Sequence, residues 1–217
     1  MAILPLVAAA WSGQASGVSD TVETEVHTLD DRALVVIDVQ QGFDDPSWGA
    51  RNNPRCEANV AALIGTWRSH GRPIVFVRHD SRDLCSPLAA GSLGNGFKQV
   101  VTGAPDLLVR KSVHSAFYGR PDLDQWLRQQ AITSIAICGI QTNHCCETTA
   151  RMASDLGYDV TFILDATHTF DHLALDGTTL TADELARATA ASLQAEFATV
   201  VTTATAVGEG AHGMSPP

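Results

Sequence analysis

The sequence predicts a three-layer α/β fold around a central, mainly parallel sheet of six strands, and three observations carry that prediction. From residue 33 onward, short β-branched runs alternate with longer stretches of helical period. The first run, "ALVVIDV" (33–39), is almost continuously apolar, the pattern of a strand covered on both faces rather than one with a face turned to water. The helical stretches fall between consecutive strands, as right-handed crossovers require.

In chain order, the first strand is followed by "NPRCEANVAALIGTWRSHG", which reads as a helix. Asn53 caps it, Pro54 suits its first turn, Val60, Leu63, Ile64 and Trp67 make an apolar stripe, and Gly71 stops it. "PIVFVRH" (73–79) is the second strand. The polar stretch 80–98 has no clear period, and a loop of that length in a compact domain is functional or disordered. Its "GSLGNG" (91–96) resembles a phosphate cradle in composition only, since it neither follows a strand directly nor contains GK[ST], and it reads as a mobile loop. "DLLVRK" (106–111) is a strand, "PDLDQWLRQQ" (121–130) a helix, and "ITSIAIC" (132–138) a strand. The next helix is stopped by Gly157 and followed by the strand "DVTFILD" (159–165). "TADELARATAASLQAEF" opens with a capping box, Thr181 with Glu184, and "ATVVTT" (198–203) ends the sheet.

A chain of 217 residues with 45% hydrophobic content supports one globular domain, placed at 31–203 between an N-terminal extension (1–30) and a flexible tail (204–217). Lys+Arg number 14 against Asp+Glu 24, a formal net charge of -10, so the field of the molecule repels phosphate backbones and anionic lipid, and neither nucleic acid nor a membrane surface is expected as a partner. The five cysteines, Cys56, Cys85, Cys138, Cys145 and Cys146, are odd in number and lack scaffold spacing, which predicts free thiols and a cytoplasmic location. "MAILPLVAAAWSGQASG" has an apolar run with no Lys or Arg before it, so the charged start of an export signal is missing. No later run approaches the roughly 18 apolar residues of a membrane span.

Sheets of this kind place their sites at the carboxyl ends of the strands, and those ends carry Asp38, His79, Lys111, the 142–146 segment and Asp165. There is no GxGxxG after the first strand and no GxSxG, which removes dinucleotide binding and a serine nucleophile elbow. Cysteine remains. A thiol in the first turn of a helix meets unpaired N–H groups and the positive dipole end, which favour thiolate. Asp38 and Lys111 supply an acid and a base at two other strand ends, and a buried Asp beside a Lys can take the thiol proton and return it to a leaving amine. Each also has a bland reading: Asp38 as a turn former, Lys111 as a solvated lysine, Cys138 as mid-strand packing. His79, Asp80, His114, His168 and Asp171 are candidates for the pocket rim, with solvated or capping roles as the alternative, and the 80–98 and 168–177 segments are expected to set selectivity.

Three separated motifs, "VVIDVQQGF" (35–43), "VRKSVHSAF" (109–117) and "GIQTNHCCETTARMASDLGYDV" (139–160), make the chain from about 33 to 203 resemble the isochorismatase-like cysteine hydrolases. That superfamily includes nicotinamidases and N-carbamoylsarcosine amidohydrolases and has a Rossmann-like fold. The resemblance implies a triad of Asp38, Lys111 and Cys145, with Cys146 at a position usually held by Val. It implies a cis peptide at Ile140–Gln141 and an oxyanion hole from the backbone N–H groups of Gln141 and Cys145. It places Gln40, Phe43, Phe117 and His144 against the substrate, and it implies a homo-oligomer, dimer or tetramer. Two departures matter. Nicotinamidases carry a D-x-H element and further histidines for a metal, whereas "GFDDPSWGARNNP" has no histidine, so neither nicotinamidase activity nor a metal or other cofactor is expected. Isochorismatases proper, which cleave a vinyl ether, lack the nucleophilic cysteine, so Cys145 favours cleavage of a small-molecule amide. An ether or lactone hydrolase on the same scaffold, or a thiol redox protein without catalysis, are the alternatives.

Overall fold

The computed structural model describes residues 32–208; the expected N-terminal extension and residues 209–217 lie outside the described residues. The elements are β1 (Ala33–Ile37), α1 (Cys56–Ser69), β2 (Ile74–His79), β3 (Leu107–Lys111), α2 (Leu123–Gln129), β4 (Ser134–Ile140), α3 (Glu147–Asp155), β5 (Asp159–His168), β6 (His172–Leu173), β7 (Thr179–Leu180), α4 (Ala182–Glu196), β8 (Thr199–Val201) and α5 (Thr203–Ala206). Six strands form one sheet in the order β3-β2-β1-β4-β5-β8, and every neighbouring pair is parallel. Strand order reverses between β1 and β4, which opens a crevice at their carboxyl ends.

The continuous apolar run of β1 has the physical basis expected for it. Ala33, Val35 and Ile37 enter one core with Leu123 and Leu127 of α2, Ala150 and Ala153 of α3 and Leu193 of α4. Leu34 and Val36 enter a second core with Val60, Leu63, Ile64 and Trp67 of α1 and Ala206 of α5. All five β1 residues are fully buried, so neither face of the strand has room for a polar side chain until Asp38. The Trp67 indole N–H donates to the carbonyl of Arg32 at 2.8 Å, tying α1 to the entry of β1.

Several local readings are corrected. Helix α1 begins at Cys56, with Arg55 at its cap position. Asn53, at a positive φ of 44°, still accepts from the Arg55 N–H with its side-chain oxygen at 3.3 Å, and its side-chain amide donates to the carbonyls of Asp165 and Thr167, bracing the loop against β5. The segment from 204 does not start loose, because α5 buries Ala206 against α1. The 168–177 stretch contributes to a two-stranded antiparallel hairpin, β6–β7. The 80–98 stretch is pinned rather than mobile. Asn95 is buried and donates to the carbonyls of His79 and Leu88 and to the Asp80 carboxylate. A Cβ on Gly94 would fall 2.3 Å from the Pro87 carbonyl oxygen and 2.8 Å from the Gly42 Cα. Gly94 of "GSLGNG" therefore serves close backbone packing, while Gly91 has a positive φ of 86° with open space around it.

The capping box at α4 forms as read: Thr181 Oγ1 accepts from the Glu184 N–H at 3.2 Å and Glu184 Oε2 accepts from the Thr181 N–H at 2.8 Å. Thr181→Ala is expected to cost about 1 kcal/mol and lower Tm by about 2–4 °C, read by thermal melting with activity unchanged.

Candidate active site

Asp38 follows β1 directly and adopts φ 52°, in the left-handed region that a non-glycine residue enters only under constraint. Its N–H donates to the Val77 carbonyl at 2.9 Å, so parallel pairing continues through the turn while the carboxylate is aimed inward. The end of β4 pairs with that of β1, Ile37 opposite Gly139, and a residue type sets how closely they approach. Gly139, in β4, has φ 129°, and a Cβ there would lie 2.0 Å from the Ile37 carbonyl oxygen, so only glycine lets the ends of β1 and β4 approach this closely.

Beyond β4 the Ile140–Gln141 peptide is cis, and residues 142–146 form a wide helical turn in which the Cys146 N–H bonds the Gln141 carbonyl five residues back. Cys145 therefore sits on this turn, ahead of α3 rather than in its first turn. Cys145 is 6% exposed, while Cys146 is fully buried among core side chains.

Lys111 ends β3, the edge strand, and reaches across β2 from a register position beside His79. Its Nζ donates to Asp38 Oδ2 at 2.5 Å, to Cys145 Sγ at 3.3 Å and lies 3.2 Å from His79 Nδ1. The side chains of both Asp38 and Lys111 are completely buried. Asp38 Oδ1 is buried with no hydrogen-bond partner among the described residues. A carboxylate oxygen of Asp38, a ring nitrogen of His79 and the Cys145 sulfur lie within 4.8 Å of one another. Those three groups are a donor set for a soft divalent ion, but the Lys111 ammonium already bonds all three, so the residues present do not fit a metal.

Electrostatics correct the expectation of a thiolate at rest. Burial pushes the Cys145 thiol up, the Asp38 carboxylate beside it pushes further, and Lys111 only partly offsets them, leaving it at about 12. Burial works against the charge of Lys111, but Asp38 and Cys145 override it and its pKa is raised. The resting site is thus a buried ion pair beside a neutral thiol.

The other predicted residues divide. His144 stays at the mouth, half-buried, its ring 5.7 Å from His114 and 5.1 Å from His172; burial and those two histidines lower its pKa. His114 Nδ1 is 3.7 Å from Cys145 Sγ, and a cleft of about 590 Å³ beside it is lined by Arg82, Ser112, Val113, Tyr118 and Thr148. Gln40 is fully buried, with Oε1 accepting from the His79 N–H and Nε2 donating to the carbonyls of His79 and Asn95. Phe43 packs with Trp48 and Phe170 in the core on the α1 side. Phe117 stacks on Tyr158, which immediately precedes β5 at that strand's amino end. Asp165 accepts from the N–H and hydroxyl of Thr203, Asp171 from the Ala182 N–H, and Asp80 pairs with Arg78 and Arg110, so these acids hold structure together. A cavity of about 880 Å³ lies between α4, β8 and the 52–53 turn, and Cys145 is not among its lining residues.

A second charged cluster was not read from the sequence. Arg51 grips Glu57 with two hydrogen bonds, and Lys98 bonds both Glu57 and Asp44. Burial works to raise the Glu57 carboxyl, and Arg51 and Lys98 override it, holding it well below the usual range. His168 lies fully buried 4.0 Å from Glu57, both ring nitrogens lacking partners among the described residues. Burial, then the Arg51 charge, push its pKa down to about 3. The unfolded chain, with His168 near 6.5, binds the extra proton between these values, so this residue removes stability as pH falls from about 6.5 towards 3. His168→Leu is expected to flatten that part of the urea-midpoint profile against pH while leaving stability at pH 7.5 unchanged or slightly higher.

The fold and this cluster define a class: a parallel α/β protein with an Asp–Lys ion pair and a thiol at the point where strand order reverses. A profile of the isochorismatase domain matches residues 32–205, and the chain belongs to the isochorismatase family of hydrolases. It is 35% identical over 173 residues to the uncharacterized isochorismatase family protein YrdC of Bacillus subtilis, spanning 79% of this chain and 92% of that one. It is 34% identical over 157 residues to Nicotinamidase 3 of Arabidopsis thaliana, spanning 64% and 74%. A solved isochorismatase-family structure from Chromobacterium violaceum is 35% identical, with a TM-score of 0.77 over 83% of this chain and 95% of that one. Among the described residues no helix is long and apolar enough to cross a membrane.

Proposed function

We propose that this protein is a cysteine hydrolase of a small-molecule amide, working through a thioester on Cys145. The observation that carries the reading is the buried Lys111 ammonium bonded at once to the Asp38 carboxylate and the Cys145 sulfur. With a neutral thiol at rest, Asp38 takes the proton as the sulfur attacks the carbonyl carbon. The oxyanion is held by the backbone N–H groups of Gln141 and Cys145, and the C–N bond breaks as Asp38 passes its proton to the leaving amine. Water, deprotonated by Asp38, then cleaves the thioester and restores the thiol. Lys111 balances charge throughout. The similarity to a nicotinamidase supports amide cleavage over ether cleavage.

A redox role is the weaker reading, since Cys145 is 6% exposed and its thiol, raised to about 12, offers little thiolate to an oxidant. A homo-oligomer is also proposed, supported by Leu173, Leu175 and Leu180 exposed on and beside the β6–β7 hairpin; sedimentation velocity tests it. The function is tested by incubating the enzyme with carboxamides, ureido compounds, cyclic amides, lactones and vinyl ethers. Ammonia or amine release together with an acyl adduct on the Cys145 peptide is the expected result. Turnover of only the lactones or ethers overturns it.

A further inference from the structure

The Lys111 ammonium has three N–H bonds, and the structure supplies three acceptors: Asp38 Oδ2, Cys145 Sγ and, at 3.2 Å, His79 Nδ1. An ammonium swings freely about its Cε–Nζ bond unless all its protons are engaged, and two of these acceptors belong to the proposed reaction. His79 does not; it is fixed from behind. Its N–H donates to Gln40 Oε1 and its carbonyl accepts from Gln40 Nε2 and Asn95 Nδ2, so the main chain bearing the ring is clamped on both sides. For Nδ1 to accept from an ammonium the ring must be neutral, with its proton on Nε2.

We propose that His79 is a positioning residue, a neutral imidazole that takes the third Lys111 proton and thereby aims the other two at the Asp38 carboxylate and the Cys145 sulfur. This rests on the amide-hydrolase reading and names a residue that reading does not use. It also gives the buried Gln40 and the pinned 93–95 turn a purpose, since both hold His79. A protonated ring would set an N–H against the ammonium and a second positive charge beside it. Burial, then Lys111, lower the pKa of His79; of the other groups facing it, His114 lowers it further, while Asp38 and Asp80 oppose.

Two variants separate positioning from packing. His79→Asn keeps an oxygen acceptor near the Nδ1 position without a titratable group, and His79→Leu keeps bulk without an acceptor. The leucine variant is expected to lose about 10–100-fold in kcat with KM within about threefold, and the asparagine variant to stay within about threefold of wild type. The acid limb of the kcat profile is expected to move to lower pH in His79→Asn. Independently of turnover, alkylation of Cys145 by iodoacetamide, followed on its peptide by mass spectrometry, is expected to slow about tenfold in His79→Leu and not in His79→Asn. Wild-type kcat in His79→Leu, equal damage in both variants, or an unmoved acid limb overturns the proposal. If instead wild type cleaves no amide while alkylation still ranks the variants as stated, the amide reading falls and the positioning role stands.

Discussion

Cys145→Ala is expected to abolish hydrolysis, by at least about 10³-fold in kcat/KM, while Cys146→Val keeps activity within about threefold. The two cysteines are adjacent in sequence and opposite in surroundings. The sulfur of Cys145 lies 3.3 Å from Lys111 Nζ and within 4.8 Å of an Asp38 carboxylate oxygen. Cys146 is fully buried among apolar side chains, and burial holds its thiol well above the ordinary value. Both variants remove or exchange little volume, so circular dichroism and melting are expected to match wild type, and loss of turnover in Cys145→Ala reads as loss of the nucleophile. The comparison is made on whichever amide wild type cleaves, with initial rates of amine release. Full activity in Cys145→Ala, or loss in Cys146→Val equal to it, removes the proposed chemistry.

Lys111→Met is expected to be the most damaging single change to stability, about 3–5 kcal/mol by urea unfolding, together with loss of activity. Asp38 is completely buried, one carboxylate oxygen bonds only Lys111 and the other has no partner among the described residues. Removing the ammonium strands a carboxylate in a site that cannot hydrate it. The double change Asp38→Asn with Lys111→Met removes the stranded charge and is expected to recover most of the lost stability without recovering turnover. A single variant as stable as wild type, or a double variant no more stable than the single, shows that the pair is not a desolvated ion pair.

How much of this was legible depends on what each feature obeys. The strands were legible because coverage on both faces demands continuous apolar runs, and the helices because one buried face imposes a period; 33–39, 73–79 and the α4 capping box agree with the structure on those grounds. That Asp38, Lys111 and the 142–146 segment lie at or just past strand ends was equally visible. The packing of Gln40, Phe43 and Phe117 was not, because which way a side chain leaves a strand end depends on the turn that follows. The left-handed φ of Asp38 and the clamp on His79 leave no composition signal. His79 itself carried one usable sign, a histidine ending the strand next to the one that ends in Lys111, but only the His79–Lys111 register makes them neighbours.

The protonation of the thiol divides the two levels most clearly. From its own chain, Cys145 has a helix ahead of it and dipoles that favour thiolate, a local effect that falls off within a turn. In the folded molecule Cys145 is 6% exposed beside a carboxylate, and burial and then Asp38 raise its thiol to about 12, so the thiol is neutral at rest. The succession of strands and helices along the chain, the family and the three residues of the proposed triad were written in the sequence, because periodicity and short motifs are properties of neighbouring residues. Their convergence, their charge states and the histidine that holds the lysine were decided only by tertiary structure, because distance and dielectric depend on residues far apart along the chain, 32 positions for His79 and Lys111 and 73 for Asp38 and Lys111.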